Sequence, residues 1–377
     1  MKPKTKFPVQ YKAIIKRMHS VKLAQYAGTR NFINGNVSYL SPYISRGVIS
    51  TKQVMDYVLQ QNFKPYLVSK FILELAWRDY FQRIYQALGD DLLKDIHYPQ
   101  KNAGRKQLPL AVYAATTGID ALDDLINTFY ETGYMHNHVR MYTTAITCNI
   151  GKVYWLQPSR WLYYHLLDGD IASNTCSWQW VAGTFSHKKY YCNQANINRY
   201  TRSDQQDTFL DKSYDILTKM QVPPVLEKTV RLSLKTNLPS TPLPKIDTAK
   251  PSLIYNSYNL DPLWRKDENV NRVLLLEPSH FKKFPVSDDV IKFITGLSGN
   301  IKGIQVYAGE ITDIEQLYIN DNRKADFISK EHPAFTHYPG IKDERDWMFP
   351  GVTGYYKSYS QYFKKILPLL KQMQTKS

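Results

Sequence analysis

Over most of the first 200 residues, apolar positions recur at intervals of three and four, and few segments alternate with a strand's period of two. Residues 71–88 carry this helical spacing, and Gly89 stands where a helix would stop. Residues 120–130, 137–150 and 160–167 read the same way, with Pro158 and Gly169 bounding the last of them. Beyond residue 237 the pattern changes. Leu238-Pro239-Ser240-Thr241-Pro242-Leu243-Pro244-Lys245, with Pro251 close behind, has the composition of an extended linker. Residues 272–277 then spell a buried strand, 287–297 a helix, 303–307 a strand, 311–319 a helix and 326–329 a third strand. Strands alternating with helices predict a small α/β unit with a parallel sheet. The expected fold is therefore mostly α: a helical domain over 1–235, a linker over 236–252 and a small α/β domain over 253–377. The α/β unit has no Gly-rich phosphate loop, so no nucleotide is assigned to it.

Charge sharpens this picture. The chain carries a net +16, and residues 253–377 hold 17 Lys+Arg against 15 Asp+Glu, so nearly all the excess lies in the first 252 residues. A basic face on one domain points to a polyanion, with nucleic acid preferred and an anionic cofactor taking part of the charge. The 29 Tyr and 14% aromatic content are read first as core filling and second as flat surfaces for stacking. Cys148, Cys176 and Cys192 form no metal-ligand spacing, which predicts a reduced intracellular, cytoplasmic protein without structural zinc. The start, Met1-Lys2-Pro3-Lys4-Thr5-Lys6, has no apolar stretch behind it, and no apolar run is long enough to span a bilayer.

Four segments carry candidate chemistry. Around Ser38-Tyr39-Leu40-Ser41-Pro42, small hydroxyls at a turn can meet phosphate oxygens, although Ser41 before Pro42 also reads as a plain helix cap. Glu74, Trp77 and Arg78 share one helix face, as do Asn137, Arg140 and Met141. His136 and His138 lie two residues apart and point in different directions on a helix, so no metal is assigned to them. Asp170, Asn174 and Trp178 recur every four residues after the Asp168-Gly169-Asp170 turn.

Ser-x-Leu-Ser-Pro-Tyr, Glu-Leu-x-Trp-Arg-x-x-Phe, Thr-Gly-Ile-Asp at 117–120, Met-His-Asn-x-x-Arg-Met and Asp-Gly-Asp-x-Ala-x-Asn-x-x-x-Trp-Gln-Trp follow one another in this order. Over residues 20–200 the chain resembles the flavin-binding domain of DNA photolyases and cryptochromes. The resemblance implies bound FAD. It places Tyr26, Ser38, Leu40 and Ser41 along the phosphates and ribitol, Arg78 and Arg140 against the cofactor, Asp168 and Asp170 at its isoalloxazine and adenine side, and Arg140 within reach of Asp168 or Asp170. Asn174 matches the residue facing flavin N5, where protein groups tune the flavin. On the substrate side, Glu74, Asn137 and Met141 match contacts to a cyclobutane pyrimidine dimer, with Trp77 and Trp180 as flat walls. Arg30 is assigned to DNA. Trp178 and Trp155 match the flavin-proximal and middle members of an electron relay.

The resemblance implies light-driven repair of dimers in UV-damaged DNA. The alternatives are a cryptochrome-like photoreceptor without repair activity and a light-independent flavin or nucleic-acid module. Departures from the pattern are specific. No Trp stands near Asn102 for the third relay member, where a tyrosine such as Tyr113 could serve. Tyr39 replaces an Arg, and Thr175-Cys176-Ser177 replaces Asn/Gly residues. The α/β unit follows the helical part rather than leading it, so a second, antenna chromophore is not expected.

Overall fold

The structure is a computed structural model that describes residues 6–61 and 63–376; residues 1–5, part of the basic start read above, lie outside them. The chain is mostly α-helical with one parallel sheet, and it divides into two compact units. The first is built on Lys22–Val37 and Asp90–Leu234; the second takes Phe7–Val21, Ser38–Gly89 and Lys235–Ser377. Residues 7–21 and 38–89, read from sequence with the helical domain, thus group with the α/β part.

In the first unit, helices Asp120–Thr132, Asn137–Ala145, Leu156–His165 and Ile171–Ala182 enclose a core that includes Phe129, Tyr142, Trp155, Trp161 and Trp178. Asp120–Thr132 starts with Asp120 and Asp123 in its first turn, where carboxylates suit the helix dipole, and buries Leu122, Ile126 and Phe129 at helical spacing. It ends at Gly133, whose φ of 64° is a conformation that Gly adopts without penalty. Pro158, expected before a helix, lies inside the first turn of Leu156–His165, where a missing N–H removes no helical bond. Residues 137–150 form an α-helix only to Ala145; Ile146–Ile150 continue as a wider π turn. Strands β1 (Leu108–Pro109) and β2 (Thr229–Val230) pair antiparallel.

The second unit holds a five-stranded parallel sheet of β3 (Ser252–Tyr255), β4 (Asn271–Leu275), β5 (Ile304–Tyr307), β6 (Phe327–Lys330) and β7 (Ile341–Asp343), in the order β5-β4-β3-β6-β7. Three of the five are the strands read from sequence; the central β3 and the edge β7 are additional. Helices Asp288–Ser298 and Ile311–Asn320 are those expected between strands. The Pro-rich segment is held along the β5 edge: Gln305 exchanges side-chain bonds with the Lys245 backbone, and Ala308 N–H donates to Thr241 at 2.8 Å. Helix Pro65–Leu88 runs to Gly89 and extends the expected helix by two turns at its start. Its Asp79 is buried and accepts from Thr51 Oγ1 at 2.6 Å and from the Met348 N–H at 2.8 Å. Asn300 likewise ties residues 7–21 to this unit through Tyr11 N–H and Val9 C=O.

Candidate functional site

The motif residues of the first unit gather on two packed helices, Asn137–Ala145 and Ile171–Ala182, and on the turn before the second. Asp170 caps Ile171–Ala182 by accepting the Ser173 N–H at 2.7 Å, and Gly183 ends that helix at φ 81°. Two residues earlier, Asp168 accepts from Arg140 Nη2 through both oxygens at 3.0 and 2.8 Å, and Arg140 Nε donates to Met135 C=O. Asp168 is nearly solvent-free, so the guanidinium offsets the cost of burying its charge. Of the two acids within expected reach of Arg140, Asp168 takes the pair and Asp170 takes the helix cap.

Asn137 and Met141 lie one helical turn apart on an accessible face, with Asn137 Nδ2 3.6 Å from Met141 Sδ. Asn174 donates through Nδ2 to Ser159 C=O at 3.0 Å, which leaves its amide oxygen as the end for an outside N–H. Trp180 is exposed and neighbours Tyr190 at 6.0 Å between ring centres. His136 and His138 are held near a pKa of about 4, chiefly by burial, and their ring centres lie 6.2 Å apart. Tyr26 is half-buried in helix Leu23–Thr29, and Arg30, just past that helix, donates to Ala27 C=O at 2.9 Å.

Trp155 and Trp178 are fully buried. Trp155 Nε1 donates to Asp95 Oδ1 at 2.7 Å, and its backbone N–H donates to Gln100. Gln179, next to Trp178, accepts from Ile96 N–H and donates to Leu92 and Lys94 carbonyls. Residues 92–100 therefore fasten the Trp178 helix and the Trp155 turn to one loop. Asp95, Gln100 and this use of Gln179 leave no signal in the sequence because the bonds that join them to Trp155 and to residues 92–96 span more than 50 residues.

In the second unit, Ser41 opens the short helix Ser41–Ser45 with Pro42 behind it, while Leu40 occupies the cap position and no side chain caps it. Ser38 Oγ accepts from the Leu40 N–H at 3.4 Å, and the intervening Tyr39 has a φ of 53°. Helix Pro65–Leu88 presents Glu74, paired with Lys70 at 3.0 Å, and Arg78, which donates to Ser45. Trp77 is stacked by Tyr359 at 3.7 Å and 9°. Tyr359 belongs to the last helix, Tyr359–Lys376, an element for which the sequence set no expectation.

Buried polar atoms without partners mark where an added polar group fits. Ser173 Oγ, Arg160 Nε and Trp178 Nε1 are such atoms in the first unit, and a buried donor without a partner costs about 1–3 kcal/mol. Each of the three can donate to an oxygen of the kind a flavin nucleotide carries. Among the described residues, no group of three or more His, Cys, Asp or Glu could hold a metal, and no helix is long and apolar enough to cross a membrane.

Residues 71–236 match the family model for the FAD binding domain of DNA photolyase. The segment is similar to that domain over this length of the chain. A deoxyribodipyrimidine photo-lyase of Alkalihalophilus pseudofirmus is 28% identical over 195 residues, covering 50% of this chain and 40% of that protein. The Escherichia coli deoxyribodipyrimidine photo-lyase is 28% identical over 198 residues, covering 47% and 40%. A Synechocystis cryptochrome structure aligns with a TM-score of 0.46 at 24% identity, over 51% of this chain and 43% of that one. The chain spans 40% of the length of both curated relatives. Within the matched segment fall Glu74, Trp77, Arg78, Asn137, Arg140, Met141, Trp155, Asp168, Asp170, Asn174, Trp178 and Trp180; Tyr26, Arg30, Ser38, Leu40 and Ser41 precede it.

Proposed function

We propose that this chain binds FAD and uses light to split cyclobutane pyrimidine dimers in DNA. The observation that carries the reading is the match of residues 71–236 to the FAD binding domain of DNA photolyase. Relatives named deoxyribodipyrimidine photo-lyase support the substrate class, and the basic excess of the first 252 residues suits a phosphate backbone. Bound reduced FAD would supply the electron that opens the dimer and take it back afterwards.

The chain's own residues bind, orient and polarise. Arg140, locked on Asp168, would hold a fixed positive edge against the flavin, and the Asn174 amide oxygen, opposite the Nδ2 that donates to Ser159, would be the acceptor for a flavin N–H. Tyr26, Ser38, Leu40, Ser41, Arg78 and Asp170 complete the cofactor contacts in this reading. A lesion must leave the duplex to be reached, which costs least for a damaged, poorly stacked base. Asn137, Met141, Trp77 and Trp180 receive it, and Arg30 contacts the flanking strand. Glu74 hydrogen-bonds the pyrimidine edge and stabilises charge that develops there, an electrostatic role.

One observation favours the second reading, a flavin photoreceptor without repair. Tyr359 covers one face of Trp77, leaving a single face for a pyrimidine ring. The test illuminates reduced protein with a dimer-containing oligonucleotide, for the wild type and for Glu74→Gln. Repair requires light-dependent dimer loss that falls by about 100-fold or more in Glu74→Gln, the scale of one lost electrostatic contact in a transition state. Light-induced flavin spectral changes with no dimer loss in the wild type would establish the photoreceptor reading instead.

A further inference from the structure

We propose that Tyr154 is the terminal electron donor of this chain and that Asp95 takes its proton; the inference deepens the flavin reading above. The geometry is local to one loop. Asp95 Oδ1 accepts from the Trp155 indole N–H at 2.7 Å and from the Tyr154 phenol at 3.0 Å. The two rings lie 5.8 Å apart between centres, tilted by 43°. The other Asp95 oxygen is fixed by the Gln100 N–H at 2.9 Å, and the Gln100 side chain bonds both Trp155 N–H and Val153 C=O. One carboxylate oxygen thus joins the buried relay tryptophan to a tyrosine that is only half-buried and meets solvent. Tyr113, the tyrosine the sequence offered, packs 6.3 Å from Tyr130 instead.

A phenol is hard to oxidise while it keeps its proton, and its oxidised form is a strong acid. A base already hydrogen-bonded to the O–H couples the two transfers. Burial first, and then the bond to Asp95, push the Tyr154 phenol up to about 12, so it enters the step protonated. In the flavin reading, Trp178 would lose an electron to bound, photoexcited oxidised FAD, and Trp155 would replace it. Tyr154 then gives one electron to the oxidised Trp155 indole, and its O–H proton passes to Asp95 Oδ1. The products are neutral Trp155, a Tyr154 phenoxyl radical and a protonated Asp95, so charge and electrons balance. A thiol reductant in solution restores the phenol.

Two experiments separate this claim from the flavin reading. In the flavin-free chain, a photogenerated ruthenium(III) oxidant makes tryptophanyl radicals, whose decay into tyrosyl radicals is followed by transient absorption and electron paramagnetic resonance. The wild type should show this conversion with a solvent deuterium isotope effect. Tyr154→Phe should keep the tryptophanyl signal, and Asp95→Asn should slow the conversion by about 100-fold or more, the scale of a positioned proton acceptor. In the flavin-loaded chain, light should give the same radicals in the same variants. An undiminished tyrosyl yield in Tyr154→Phe, or an unchanged rate and isotope effect in Asp95→Asn, overturns the proposal. A chain that takes up no flavin sinks the earlier reading, while the ruthenium arm still decides the Tyr154 claim. Thermal melting checks that both variants fold; each retains the replaced side chain's size.

Discussion

At the scale of single residues, buried charge is handled in two ways. Asp168 is matched by one guanidinium nitrogen of Arg140, which donates to both carboxylate oxygens. Asp79 is held by hydrogen bonds, and burial pushes its carboxyl up to about 6 against the pull of Thr51 and the Met348 N–H. Folded chains therefore keep this proton to a higher pH than unfolded ones. Between pH ~4 and ~6 the folded state binds more protons, so stability falls as pH rises through that window. The whole effect is on the order of 2–3 kcal/mol, since a tenfold change in proton affinity is worth about 1.4 kcal/mol. Asp79→Asn should flatten urea-derived stability over the same window, since the amide can donate to Thr51 and still accept from Met348. An unchanged slope would mean that another group titrates there.

At the scale of elements, periodicity makes the helices legible and burial obscures some strands. Residues 71–88 and 120–130 are readable because each carries an apolar face and a Gly at its end. β3 escapes the pattern because its four residues are all buried, so nothing alternates, and because it follows Pro251 in a stretch of linker composition. β7 escapes for the opposite reason: three residues, two of them exposed, carry no pattern. The motif residues are legible through resemblance, whereas Asp95, Gln100 and Tyr359 act through partners far along the chain and leave no local mark. Gly47 is one place where an element join depends on a missing side chain. It has a φ of +62°, and a Cβ there would stand 2.3 Å from Tyr258 C=O. Gly47→Ala should lower the unfolding free energy from urea titration by more than the ~1 kcal/mol that a strain-free exchange would add. A neutral result would mean that the 46–48 segment shifts freely away from residues 258–260.

At the scale of the molecule, sequence and structure divide the chain differently. Composition changes once, near residue 238, but the backbone passes between units several times, so that helix Pro65–Leu88 stands with the sheet-bearing unit. Composition records local chemistry, while unit membership follows from contacts such as Asn300 with Val9 and Asp79 with Met348. Charge follows the same rule: the +14 excess of residues 1–252 is spread over both units. The proposed activity depends on a flavin dinucleotide held through Arg140, Asp168 and Asn174. The direct measurement is flavin content of the purified chain, read by absorbance after release and by titration of the flavin-free protein with FAD. The expected result is one FAD per chain and a marked loss of binding in Arg140→Ala, with the helical circular dichroism retained. A well-folded chain that binds no FAD, or binds it equally well without Arg140, would contradict it.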